Sequence, residues 1–260
     1  MIIKIKNVSV IRKSKYILKN INWEIKKGEH WAILGLNGSG KTTLLNMING
    51  YIYPSEGEVK VLGKNFGEYD LRELRKSIGW VSTALQEKLY GRDNALEIIL
   101  SGKFASIGLY EEVAEEDLIK AKDILKTLSI FHLSERIYNT LSQGEKQKLL
   151  IGRALMGEPE LLILDEPATG LDVFAKKELL EVIENLSKKE NSPTLIYVTH
   201  RTEEILPVFR KILLLRRGEI YSYGNTEDVF TQKVLSDFFE TTVITKQINN
   251  KYFLEIPSLL

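Results

Sequence analysis

Eight consecutive residues carry the clearest chemical signal in the chain. Gly35-Leu36-Asn37-Gly38-Ser39-Gly40-Lys41-Thr42 fits the pattern G-x-x-x-x-G-K-[ST], which holds a nucleoside triphosphate by its phosphates. Glycines let the backbone wrap an anion with its N–H groups turned inward. A helix opening at Lys41 adds a partial positive charge facing the same anion. Lys41 is placed to reach the β- and γ-phosphates and the Thr42 hydroxyl to ligate Mg2+, with Thr43 beside them in the binding set. Such a loop alone does not choose among kinases, GTPases and ATPases.

A second signal is an apolar run that ends in two acids, Leu161-Leu162-Ile163-Leu164-Asp165-Glu166. A strand ending there sets Asp165 at the carboxyl edge of a sheet, where α/β proteins bind ligands. Asp165 suits a Mg2+ shell, and Glu166 suits a general base acting on water. Acids commonly close strands, so this reading leans on the glycine-rich loop. His200 follows another strand-like run, Thr194–Thr199, where it could face a γ-phosphate. Taken alone, a histidine there is more often structural.

These residues need elements to hold them. Residues 2–11 and 21–26 read as strands of an N-terminal sheet, and His30–Leu34 as a buried parallel strand. Lys41–Asn49 reads as a helix, Gly57–Leu62 as a strand, Asp70–Ser77 as a helix capped by Asp70, and Ile78–Ser82 as a strand. From about Ala95 to Leu133 the pattern turns helical and acidic. The cluster Glu111, Glu112, Glu115, Glu116 and Asp117 reads as a solvated helix start. A helix is expected over Glu145–Met156, and Lys211–Leu215 is a further apolar strand. Thr242–Ile256 alternates on both sides of Asn249-Asn250, as a hairpin does. Strand–helix alternation predicts an α/β fold with a mostly parallel sheet.

Composition narrows the classes. Of 260 residues, 43% are hydrophobic and 27% charged, as in an ordinary globular protein. A net charge of +1 gives no electrostatic footprint for nucleic acid. The absence of cysteine excludes disulfides, a thiol nucleophile and cysteine zinc sites. No stretch approaches the ~20 apolar residues of a membrane span, so a membrane role would run through a partner chain. The opening Met-Ile-Ile-Lys-Ile-Lys reads as a strand rather than a signal peptide.

Further motifs occur in a fixed order: Leu141-Ser142-Gln143-Gly144-Glu145, Gly170-Leu171-Asp172 and Val198-Thr199-His200. With the two runs above, they make the chain resemble the ATP-binding-cassette (ABC) ATPases over about residues 1–225. The Leu-Ser-x-Gly-x segment is the specific feature, because other P-loop classes lack it. The resemblance implies a RecA-like P-loop core over 1–82 and 159–225, with an antiparallel β subdomain at its N-terminus. It also implies a helical subdomain over 83–158 and an accessory C-terminal element over 226–260. It implies ATP and Mg2+ as ligands and a second ABC ATPase chain, expected to be an identical copy. Ser142 and Gly144 would then contact the γ-phosphate held by the opposite chain, Asp172 would lie between the two sites, and His200 would grip the γ-phosphate. An integral-membrane permease would be the remaining partner, docked by Leu85–Tyr110 of this chain, which would itself be cytoplasmic and peripheral on the cytoplasmic face of the membrane. Phe104, Ile107, Leu109 and Tyr110 read equally well as docking contacts and as core.

Three departures from the family stand out. Gln143 replaces a glycine and Glu145 a glutamine, and a carboxylate near phosphate implies that Glu145 turns aside or meets a basic group. The glutamine usually found after the strand ending at Ser82 is replaced by Thr83, leaving Gln86 as the candidate metal-side ligand. Arg12 stands where an aromatic usually stacks on adenine, with Tyr16 as a nearby alternative. The runs Ile78–Gln86 and Ser101–Tyr110 are similar to a subgroup labelled molybdenum-transport or photorepair ATPases. That label keeps a rival open: a soluble ABC-type ATPase acting on nucleic acid or in repair.

Overall fold

A computed structural model describes residues 1–248 and 251–257. Along the chain run β1 (Ile3–Arg12), β2 (Lys15–Ile25), β3 (Trp31–Leu34), α1 (Lys41–Ile48), β4 (Glu56–Val61), β5 (Lys64–Asn65) and α2 (Leu71–Lys76). There follow β6 (Ile78–Val81), α3 (Thr83–Gln86), α4 (Ala95–Ser101), α5 (Glu115–Thr127), α6 (Gln143–Met156), β7 (Leu161–Asp165) and α7 (Val173–Ser187). The last stretch holds β8 (Thr194–Thr199), β9 (Lys211–Arg216), β10 (Glu219–Asn225), α8 (Thr226–Val229), α9 (Gln232–Phe239), β11 (Ile244–Ile248) and β12 (Lys251–Glu255). The chain divides into two compact units, one from residues 1–75 and 194 onward, the other from Lys76–Pro193.

The first unit holds two larger sheets. An antiparallel sheet runs in the order β2-β1-β4-β5, the N-terminal β subdomain that the sequence implied. In the other, β3 lies parallel to both β8 and β9, and β10 pairs antiparallel with β9. All four residues of β3 and all six of β8 are buried. That explains why these strands read as unbroken apolar runs rather than alternating ones. The β9–β10 turn passes through Arg217 (φ 51°) and Gly218 (φ 79°). Two left-handed residues suit a tight hairpin, but an arginine gives no turn signal, and β10 was not anticipated. Strands β11 and β12 form the expected C-terminal hairpin, with Ile248 opposite Lys251. Asn249-Asn250, read above as the turn, lies outside the described residues.

In the second unit β6 and β7 are parallel, with Val81 opposite Leu164. Helix α5 starts at Glu115, and Glu115, Glu116 and Asp117 fill its first turn, which favours the helix dipole. One part of the solvated reading fails: Asp117 is buried and accepts from Lys103 Nζ at 2.6 Å. Helix α4 carries a complete capping box, in which Asn94 accepts from the Glu97 N–H and Glu97 accepts from the Asn94 N–H. Arg153 of α6, itself buried, ties this region together by donating to Ser101 Oγ at 3.2 Å and to the Ser106 carbonyl at 2.8 Å. Phe104, Ile107 and Leu109 are half-buried, while Tyr110 is exposed and its hydroxyl lies 2.9 Å from that of Tyr90.

The Ser101-Gly102 step permits a close backbone approach. A Cβ on Gly102 would sit 1.9 Å from the Arg153 carbonyl oxygen. Gly102→Ala is expected to destabilise the protein by about 1–3 kcal/mol through this overpacking. Chemical denaturation of the two proteins side by side measures it, and unchanged stability would mean that the helices separate freely at this point.

Candidate functional site

The glycine-rich loop leaves the carboxyl end of β3. Leu34 is in register with Thr199, the Gly35 N–H donates to the Thr199 carbonyl at 3.4 Å, and His200 is the first residue after β8. The loop and His200 therefore emerge side by side from one sheet edge, the position at which open α/β sheets take ligands. Gly38 (φ 78°) and Gly40 (φ 106°) adopt left-handed backbone, a conformation that other residues resist. A Cβ on Gly35 would fall 2.6 Å from Ser39 Oγ and 2.7 Å from the Leu215 carbonyl oxygen. Helix α1 begins at Lys41, whose buried ammonium donates to the carbonyls of Gly35 at 2.7 Å and Leu36 at 3.3 Å. The side chain thus curls over the loop it closes.

Three observations fit this loop to a polyphosphate. Its backbone turns at two left-handed glycines, Lys41 brings a cation to its centre, and Ser39 Oγ is buried with no hydrogen-bond partner among the described residues. An orphaned buried hydroxyl costs stability unless a ligand satisfies it. Leu36, Asn37, Gly38 and Thr42 are exposed, and Thr43 is half-buried. Arg12 ends β1 at the hairpin tip opposite Lys15, exposed, and Tyr16 is also exposed there. Both side chains remain open to solvent at a turn made by Lys13 (φ 48°) and Ser14 (φ 59°).

The backbone beside His200 is anchored by a residue that carries no motif signal, Glu204. Glu204 is buried and accepts from Thr199 Oγ1 at 2.7 Å and from Tyr197 Oη at 3.2 Å. Thr199 Oγ1 in turn accepts from the Arg201 N–H at 3.0 Å, so the backbone on either side of His200 is pinned. Nothing in Thr202-Glu203-Glu204 separates the buried acid from its neighbour, which is why pattern reading missed it.

In the second unit, the β6–β7 register brings Ser82 and Asp165 to one strand end. Glu166 follows with φ 50° and is half-buried. Glu158 and Glu240 adopt the same left-handed backbone elsewhere in the chain, so this φ alone does not single Glu166 out. Asp172 caps α7, accepting from the N–H groups of Phe174 at 2.9 Å and Ala175 at 3.0 Å. Val173 and Phe174 beside it are 79% and 80% exposed.

Helix α6 opens on the Leu-Ser-x-Gly-x segment. Ser142 is its N-cap: its Oγ accepts from the Glu145 N–H at 3.3 Å, and the Glu145 carboxylate accepts from the Ser142 N–H at 2.7 Å. Glu145 also lies 3.9 Å from Arg136. Of the two alternatives for Glu145, the structure shows the basic neighbour, while the carboxylate folds back onto the helix start rather than turning aside from it. Capping uses Ser142 Oγ as an acceptor and leaves its O–H available to donate. Gly144 is buried, and a Cβ there would stand 3.0 Å from that of Ala175. Gln86 spends its carboxamide on this helix, bonding Gln143 and Gln147.

Comparison with known proteins agrees with these motifs. Residues 18–169 match the family described as ABC transporter. An uncharacterized ABC transporter ATP-binding protein of Bacillus subtilis is 52% identical over 244 residues, 94% of this chain and 92% of that protein. A second ABC transporter ATP-binding protein, from Streptococcus mutans, is 44% identical over 99% of both chains. Among solved structures, the dimeric post-hydrolysis state of the cassette MJ0796 bound to ADP and Pi is 30% identical. It superposes with a TM-score of 0.73, covering 86% of this chain and 98% of that one.

The reciprocal cap at α6 sets a test. Glu145→Ala removes the carboxylate that holds the Ser142 N–H and is expected to cost about 0.5–2 kcal/mol. Glu145→Gln keeps the capping box and should stay within a few tenths of wild type. Urea denaturation of both variants distinguishes them; equal losses would show that charge, not capping, is what Glu145 contributes.

Proposed function

The chain belongs to the ABC transporter ATP-binding family, and from that premise we propose that two copies close around two ATP molecules to drive transport through a separate membrane subunit. ATP hydrolysis itself follows from family membership. No helix among the described residues is long and apolar enough to cross a membrane, and in this reading the spanning helices belong to the partner subunit. The observation that carries the dimer reading is the start of α6. There a capping serine with a spare O–H, a close-packed glycine and a helix N-terminus make a second group of anion donors, besides the glycine-rich loop.

Each residue then has a role that suits its chemistry. The N–H groups of Gly35–Thr43 and the Lys41 ammonium neutralise the phosphates, and Ser142 and Gly144 of the opposite copy complete that shell. By the family's pattern, Thr42 and Asp165 would each supply an oxygen of the kind that Mg2+ takes alongside phosphate. Bound there, Mg2+ would neutralise charge on the β- and γ-phosphates. Glu166 accepts the proton of the attacking water as its oxygen bonds to the γ-phosphorus and the bond to ADP breaks, giving ADP and phosphate. His200 orients the γ-phosphate and that water. Little else is required, because phosphoryl transfer is governed by positioning and charge stabilisation. Arg12 or Tyr16 supplies a planar group for the adenine.

Glu166→Gln tests the assignment of the base. It should retain ATP binding, lower turnover by about 100-fold or more, and accumulate an ATP-bound dimer on gel filtration. Turnover at the wild-type rate would remove Glu166 from that role.

A further inference from the structure

Gln86 and Gln143 face each other in a closed pair. Gln86 Nε2 donates to Gln143 Oε1 at 3.0 Å, and Gln143 Nε2 donates back to Gln86 Oε1 at 3.1 Å. Gln147, one turn further along α6, donates its Nε2 to the same Gln86 oxygen at 3.0 Å. Positions 143 and 147 lie on one helix face, so α6 presents two glutamines that clasp a third. Gln147 is buried, and its Oε1 has no hydrogen-bond partner among the described residues. A buried side chain with one amide end unsatisfied is costly, and its other end is spent on Gln86.

The clasp matters because α3 has little else to hold it. The helix is one turn long and buries no residue. Its cap is Ser82, which accepts from the Leu85 N–H at 3.4 Å. On α6, Gln143 stands between Ser142 and Gly144, the residues assigned above to the γ-phosphate of the opposite copy. The carboxamide pair therefore fixes the first turn of α6 to the segment that follows β6. The two residues that depart from the family at these places, Thr83 and Gln143, lie on the two sides of this contact.

We propose that Gln86 is a positioning residue for ATP hydrolysis, acting through Gln143 and Gln147 to set the Ser142–Gly144 turn. The proposal rests on the dimer reading, in which that turn meets nucleotide. Its consequence is that movement of α3 is transmitted to the start of α6 through side-chain amides.

A double-mutant cycle on the full chain tests it, reading kcat and KM for ATP. Gln86→Ala and Gln143→Ala should each lower kcat about 10-fold, with KM within about twofold. The double variant should match Gln86→Ala, because that change alone already removes the bonds to both Gln143 and Gln147. Gln86→Glu with Gln143→Lys restores a bonded pair across the same gap and should recover most of the lost kcat. Losses that multiply, absence of rescue with all variants folded by circular dichroism, or a Gln86→Ala enzyme at wild-type kcat would each overturn the proposal. Ser142→Ala, assayed alongside, separates the two readings. If it turns over ATP normally, the dimer reading fails; if it is impaired while the cycle is multiplicative, only the clasp fails.

Discussion

A lysine ammonium buried at the mouth of a helix is the constraint on which the nucleotide side of this protein turns. Burying a cation is costly unless the surroundings supply negative partial or full charge. Lys41 receives carbonyl oxygens from Gly35 and Leu36, which requires the loop to curl back over its own side chain. That curl needs left-handed backbone at Gly38 and Gly40, and at Gly35 it leaves no space for a Cβ. The flanking strand must be rigid and fully buried to aim the loop, as β3 is. In the proposed reading, a nucleoside triphosphate would bring several full negative charges to this loop, which holds the buried ammonium and the Ser39 hydroxyl.

The second unit solves a different problem with similar means. Its carboxylates follow a buried strand whose last residue is Asp165, and the turn after it holds Glu166 at a positive φ. Helix α6 satisfies its own N-terminus by a reciprocal serine–glutamate cap that uses the Ser142 oxygen only as an acceptor, so its O–H can still donate. The same first turn is bound laterally by Gln86. Capping, glycine packing and the amide clasp all act on three residues, Ser142, Gln143 and Gly144.

Much of this was legible because it depends on local backbone requirements. The glycine-rich loop, the acid-terminated strand and the buried parallel strands each announce themselves within a few residues. The Ser142-x-x-Glu145 spacing is itself a capping box, so the unfamiliar glutamate had a local explanation. What stayed hidden depends on distance along the chain or on burial within a uniform patch. Gln86 meets Gln143 across 57 residues. Glu204 differs from Glu203 only in facing Tyr197 and Thr199. The left-handed backbone at Glu166 belongs to the turn that follows β7, and no residue type signals it. Asp117 lies in an acidic cluster whose other members are exposed, yet it is buried against Lys103.

The dimer is tested most directly by complementation between two disabled chains. Lys41→Ala removes the loop's cation, and Ser142→Asp keeps a helix cap while setting a carboxylate against phosphate. Each variant alone should be nearly inactive. In a mixed two-fold dimer, one site would join an intact loop to an intact Ser142, so an equimolar mixture should recover about a quarter of wild-type turnover per chain. A mixture no more active than the average of its two components would contradict a site shared between copies.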